Sequence, residues 1–166
     1  MQVAIEKLSD TLQSFPHFDR LLALFSTKDA YLVGGAIRDA LIGHPVTDLD
    51  LVFPDDPTAL AKVFARQISG HWFWLDQARC QSRVVVNYDG ECLNYDFALF
   101  RAPDLDRDLL DRDFTINTLA LPLPENLSVS FLVDPFCGLK VLQPNTLRKF
   151  AKYSCVNHPL RIINGL

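Results

Sequence analysis

Asp48 and Asp50 stand one residue apart inside the apolar run VTDLDLVF, residues 46–53. Each carboxylate would weaken a core, so their spacing asks for a reason. A strand has a period of two, which puts Asp48 and Asp50 on one face and Leu49, Leu51 and Phe53 on the other. Two carboxylates that close repel each other unless a positive charge lies between them. A divalent cation meets that need. Hard oxygen ligands on a rigid strand suit Mg²⁺, which keeps its other positions for water and phosphate oxygens. The bare pair also has an ordinary reading, in which one Asp caps the turn after Pro45 and the other is solvated at a strand end.

A third acid lies in NYDFALF, residues 94–100. Tyr95, Phe97 and Leu99 make one apolar face, and Asp96 falls on the opposite face with Asn94 and Ala98. An acid in mid-strand runs against propensity. It marks an exposed sheet face, a partner for Arg83 or Arg101, or a ligand. Three acids converging on one sheet face would form a two-metal phosphoryl-transfer site.

Between a strand-like and a helix-like run lies Val33-Gly34-Gly35-Ala36. Backbone amides without side chains in the way can approach a phosphate closely, and a helix start favours negative charge. Arg38, in the first turn, can add a bidentate phosphate contact. The stretch is neither GxGxxG nor a Walker loop, and a tight turn would also explain it. Its neighbourhood is informative: glycines, Arg38 and the acid pair fall within one strand-helix-strand unit.

The apolar pattern along the chain sets the elements that must position these groups. Apolar residues from 4 to 26 recur at helical spacing, and Pro16 divides them into two helices. Residues 30–33 predict a strand, 36–43 a short helix closed by Gly43, and 49–53 a second strand. Pro57 opens a helix over 57–69. HWFWL, RVVVNY and CLNYDFALF predict three strands, the last two joined by a hairpin at Tyr88-Asp89-Gly90-Glu91. A charged segment, 103–113, leads into a short helix at 114–120. SVSFLVDPFCGLKVLQ predicts one more short strand and a turn, and a final helix starts near Pro159. The pattern is α+β around one sheet.

The 166 residues suffice for a domain with its own core, and 49% of them are hydrophobic. No apolar run reaches the ~18 residues of a membrane span. The opening MQVAIEKLSD has no signal-peptide pattern. Cys80, Cys92, Cys137 and Cys155 form no CxxC pair and are expected as buried thiols of a cytoplasmic protein. With a net charge of −4 and no Lys/Arg block, this chain would not be the main electrostatic holder of a nucleic acid.

Four segments resemble one family, in the family's order. LVGGAIRDALIGHPVTDLDLV, DRDFTINTLAL, VDPFCGLKVLQPNTLR and HPLRII are similar to the signatures of the head domain of class II tRNA nucleotidyltransferases (CCA-adding enzymes) and bacterial poly(A) polymerases. The resemblance implies the DNA polymerase β-like nucleotidyltransferase fold, with one mixed or antiparallel sheet and flanking helices. It implies Asp48 and Asp50 as Mg²⁺ ligands and Asp96 as a third catalytic carboxylate. Gly34, Gly35, Arg38, Arg112, Asp113, Asn117 and Arg161 would meet the nucleotide, although Asp113 and Asn117 have a structural alternative in the 114–120 helix. The expected substrates are a nucleoside triphosphate (ATP, CTP) and an RNA 3′ end, with tRNA foremost. Residues 1–28 would be an N-terminal helical segment, 29–156 the head, and 157–166 the start of a truncated neck helix. Asp111, His158 and Asn164 depart from the family pattern, and the segment before DRDFTIN is shorter than usual. A catalytically silent nucleotide- or RNA-binding module of the same fold is therefore the rival expectation. An antibiotic-modifying nucleotidyltransferase would leave the DFTIN and DPxxG segments unexplained.

Overall fold

The computed structural model describes residues 2–25, 29–112, 117–123, 132–137 and 139. Helices α1 (Gln2–Ser14) and α2 (Phe18–Leu24) flank Pro16, as the proline break predicts. There follow β1 (Tyr31–Val33), α3 (Gly35–Ile42), β2 (Asp48–Phe53), α4 (Thr58–Gln67), β3 (His71–Asp76), β4 (Gln81–Tyr88), β5 (Glu91–Leu99), α5 (Leu105–Leu110) and β6 (Ala120–Pro122). Gly43 ends α3 in the left-handed conformation, φ 79°, and its N–H reaches back to Ala40 and Asp39. The β4–β5 hairpin turns on Asp89 (φ 51°) and Gly90 (φ 88°), the two positive φ values of a type I′ loop.

The sheet has six strands in the order β3-β4-β5-β2-β1-β6. All neighbours are antiparallel except β2 and β5, which are parallel. One sheet face carries Leu49, Leu51 and Phe53 from β2 and Leu93, Tyr95 and Phe97 from β5, all buried. Helices α1 to α4 cover that face through Leu8, Leu12, Phe18, Leu21, Ile37 and Phe64. Each such side chain contributes roughly 1.5–3 kcal/mol by leaving water. Phe53 stacks on Phe97 at 5.9 Å, and Phe64 meets Tyr95 edge-on at 4.9 Å. The Tyr95 hydroxyl donates to Pro16 O at 2.6 Å, fastening the α1–α2 corner to the central strand.

The opposite face is treated differently along its length. A smaller apolar cluster of Val33, Val52, Leu109 and Ala120 lies under α5. Beyond it the face is open and carries Asp48, Asp50, Arg83, Asn94 and Asp96.

Three expectations need correction. The predicted 114–120 helix does not extend over its last residues: Leu119 is non-helical, and Ala120 begins β6, paired with Val33. Its start, residues 114–116, lies outside the described residues. The charged 103–113 segment holds a helix of its own, α5, which the sequence reading missed. The thiols are not buried: Cys80 is half-buried, and Cys92 and Cys137 are exposed. Strand alternation places Cys92 on the open face with Asn94 and Asp96, and Cys137 follows the Pro135-Phe136 turn. Cys155 and the 157–166 segment lie outside the described residues. Among the described residues no helix is long and apolar enough to cross a membrane.

Candidate active site

Sheet register builds the site. Arg83 pairs with Asp96, Asp96 with Asp50, and Asp50 with Val33, so one row crosses β4, β5, β2 and β1. Asp50 and Asp96 therefore stand side by side on the parallel strands, facing away from the helices. Asp48 lies two residues along the same face, opposite Asn94.

The three acids have different surroundings. Asp48 is exposed; its Oδ1 accepts from the Asn94 amide at 2.6 Å and its Oδ2 from the Thr47 hydroxyl at 2.8 Å. Asp96 is held by Arg83 in a two-pronged ion pair, Nε to Oδ1 at 2.6 Å and Nη2 to Oδ2 at 2.8 Å. Of the two partners named from sequence, it is Arg83 and not Arg101. Asp50 is partly buried, and burial pushes its carboxyl above the usual range. Asp96 pushes it further, Arg112 pulls it back, and Asp48 and Arg83 act more weakly in opposite senses. Among the described residues no group of three acids stands ready around a single ion.

The glycine turn lies directly over Asp50. Gly34 has φ 76° and ψ −138° and precedes α3. A Cβ there would sit 3.1 Å from Asp50 Oδ2 and 3.5 Å from Arg112 Nη1. Glycine is thus required twice, by the positive φ and by the close approach. The Arg38 fork expected for phosphate is turned to Asp39: Nε and Nη2 bond its carboxylate at 2.9 and 2.8 Å, and Nη1 bonds Asn117 Oδ1 at 2.9 Å. Asn117 thus braces Arg38.

Arg112 enters from the end of α5. Its Nη2 donates to Asp108 Oδ2 at 3.1 Å, while its Nε is buried without a hydrogen-bond partner among the described residues. Asp108, only 2% exposed, also accepts the Arg101 N–H at 2.8 Å. Sequence reading missed Asp108. Its signal was the i,i+4 spacing to Arg112 and the Leu105/Leu109 pair that fixes the α5 face. Asp50, Asp96, Arg101, Asp108 and Arg112 line one cavity of about 170 Å³, floored by Val52 and Ala98. Asp113 and Arg161, the remaining sequence candidates, lie outside the described residues.

The donor set fits a hard divalent cation. Asp48 and Asp50 offer carboxylate oxygens on one strand face, and burial, with Asp96 adding to it, disfavours the charge of Asp50 in a way a cation would relieve. A mixed sheet with acids on adjacent parallel strands beside a glycine turn defines the DNA polymerase β-like nucleotidyltransferase fold.

The chain belongs to the Poly A polymerase head domain family, whose profile matches residues 30–148. It is 36% identical over 136 residues to a CC-adding tRNA nucleotidyltransferase of Geobacter sulfurreducens, covering 82% of this chain and 30% of that protein. A CCA-adding enzyme solved in complex with ATP superposes with a TM-score of 0.78 at 28% identity, covering 96% of this chain and 39% of that one. The Thermotoga maritima CCA-adding enzyme complexed with tRNA superposes at 0.75 and 28% identity, over 95% of this chain and 39% of that one. The chain thus spans about a third of the length of the curated relative and two fifths of the solved ones.

Proposed function

We propose that this chain is the head of a cytoplasmic RNA nucleotidyltransferase. It takes a nucleoside monophosphate from ATP or CTP, adds it to an RNA 3′-hydroxyl, foremost that of tRNA, and releases pyrophosphate. The observation that carries this reading is the placement of Asp50 beside Asp96 on parallel strands, under the Gly34 turn. The likeness to tRNA nucleotidyltransferases supports it.

Asp48 and Asp50 would hold Mg²⁺. When bound, the ion neutralises charge on the phosphoryl oxygens and lowers the pKa of the attacking hydroxyl. Everything else is positioning and electrostatics. Gly34 and Gly35 let the triphosphate approach the backbone. Arg112 offers it a cation on the Asp50 side, and Arg38 a second once phosphate competes with Asp39. Asp96, aimed by Arg83, orients the 3′-hydroxyl. Asp113 and Arg161 are assigned to the nucleotide by their place in the family segments. Residues 29–156 make up this head, 1–28 its helical lead-in, and 157–166 the start of a neck that would choose the base.

A folded Asp48→Ala or Asp50→Ala variant, carried in the complete enzyme, is expected to lose several orders of magnitude in nucleotide incorporation. The assay is labelled ATP or CTP with Mg²⁺ and tRNA lacking its 3′ end. Incorporation at the native rate by either variant refutes the assignment. A second reading, a nucleotide-binding module without transfer, has one observation in its favour: Arg83 engages both oxygens of Asp96. Tight triphosphate binding with no incorporation would select it.

A further inference from the structure

We propose that Asp108 is the positioning residue of this site: it holds the Arg112 guanidinium off Asp50 and aims it at the triphosphate. The inference rests on the nucleotidyltransferase reading and extends it to a residue that never touches substrate.

Among the described residues Asp108 is the only charged side chain buried so deeply. Stability alone explains it poorly, because desolvating an ion pair commonly offsets the attraction gained. Both of its oxygens are committed, Oδ1 to the Arg101 N–H just beyond β5 and Oδ2 to Arg112 Nη2. The carboxylate therefore ties Arg112 to the end of the strand that carries Asp96.

The consequence lies on the far side of the guanidinium. Arg112 Nη1 comes close to Gly34, and the Arg112 charge acts on Asp50. Charges alternate: Asp108 negative, Arg112 positive, Asp50 negative. Arg112 is thus drawn from two sides, and Asp108 holds one prong. Without that hold, a planar fork beside a partly buried carboxylate has a better partner in Asp50 itself, as a two-pronged pair. Such a pair would take Asp50 from a cation and Arg112 from a phosphate at one stroke. With Asp108 in place, Arg112 lines the cavity with its fork paired to Asp108 and not to Asp50. Its guanidinium charge matches phosphate oxygens, and preorganising it removes an ordering cost from binding.

The test is calorimetric titration of the chain with a non-hydrolysable ATP analogue and Mg²⁺, alongside thermal melting. Asp108→Asn keeps the shape and the acceptor for the Arg101 N–H but loses the charge that holds Arg112. It is expected to weaken analogue binding about tenfold or more, the loss of one charge-assisted hydrogen bond, while melting within a few degrees of the parent. Arg112→Lys should weaken binding similarly, and the double variant should be no weaker than the worse single one, since both remove the same aimed fork. Additive losses, or native affinity in Asp108→Asn, overturn the inference. So does a lowered melting temperature with native affinity, which would make Asp108 merely structural. Should Asp108→Asn not fold, Asp108→Glu keeps the charge and displaces it by one methylene; weaker binding is then expected, and unchanged binding overturns. If the parent chain itself binds no analogue, the nucleotidyltransferase reading fails first and takes this inference with it.

Discussion

Arg83→Met should destabilise the chain, and Asp96→Asn in the same molecule should repair most of the damage. Asp96 has 13% of its side chain exposed and Arg83 31%, and Arg83 bonds both Asp96 oxygens. Removing the arginine leaves a nearly buried carboxylate with no cation and with Asp50 as its neighbour on the next strand. Breaking a fully buried pair costs about 3–5 kcal/mol, whereas exposed pairs are worth about 0–1. Arg83 is one-third exposed, so screening places this pair between those limits, at roughly 2 kcal/mol. In a chain of this length that corresponds to a melting temperature lower by roughly 4–8 °C.

The assay is thermal melting followed by circular dichroism, for the parent, both single variants and the double variant, at low and high salt. Added Mg²⁺ should raise the melting temperature of Arg83→Met by more than that of the parent, because a freed Asp96 becomes available to a cation that binds only the folded state. If Arg83→Met melts within a degree of the parent, or the double variant melts no higher than Arg83→Met, the charge logic of the open face is wrong.

Other outcomes follow from the same geometry. Gly34→Ala forces a side chain into φ 76° and ψ −138° and sets its Cβ 3.1 Å from Asp50 Oδ2. A loss of about 1–3 kcal/mol is expected from the backbone alone, with weaker triphosphate binding in titration; a native melting curve would refute it. For Asp50 the folded carboxyl lies above its unfolded value, so the native state binds the extra proton. Stability therefore falls as pH rises from the ordinary carboxylate range through the raised value, and above it the full penalty stands. Asp50→Asn should accordingly melt higher than the parent at about pH 8, with the gap closing toward about pH 4. A gap that widens on acidification would contradict the assigned direction.

Much of this arrangement was legible in the sequence because it is local. Alternation alone put Leu49, Leu51 and Phe53 opposite Asp48 and Asp50, and Tyr95 and Phe97 opposite Asp96. Asp89-Gly90 demanded a two-residue loop, and that loop fixes more than was read from it. With Tyr88 opposite Glu91, counting five residues back along β4 and five forward along β5 sets Arg83 against Asp96. The choice between Arg83 and Arg101 was therefore already present in the hairpin. The Asp50–Asp96 register was not, because parallel strands joined through α4, β3 and β4 carry no local count. Strand β6 was hidden by Pro122, which an edge strand tolerates since one side of it needs no donor. Helix α5 has six residues, too few to form alone. The Asp104 carboxylate caps its start, accepting the Arg107 N–H at 2.9 Å, and Leu109 buries against Val33 and Val52. The cap is local and present in the sequence, but the burial of Leu109 depends on the sheet being in place.

Three local conflicts meet at one point. Asp50, whose charge burial disfavours, and Arg112, whose Nε lacks a partner among the described residues, line one cavity, and the positive-φ Gly34 stands against both. On the helix-covered face the large side chains of β2 and β5 are apolar or, as with the Tyr95 hydroxyl, have an acceptor, while Ser82 Oγ and Trp72 Nε1 are buried without a partner among the described residues. A chain stabilised for its own sake would place a hydrocarbon at position 50, as it does at 49 and 51, and would need neither Arg112 nor the buried Asp108 beneath it. Each conflict is relieved by the same class of ligand: a cation satisfies Asp50, phosphate oxygens satisfy Arg112, and the bare backbone at Gly34 admits both. Complementary conflicts around one cavity are expected where the folded state is completed by a metal-bound polyphosphate rather than by its own side chains.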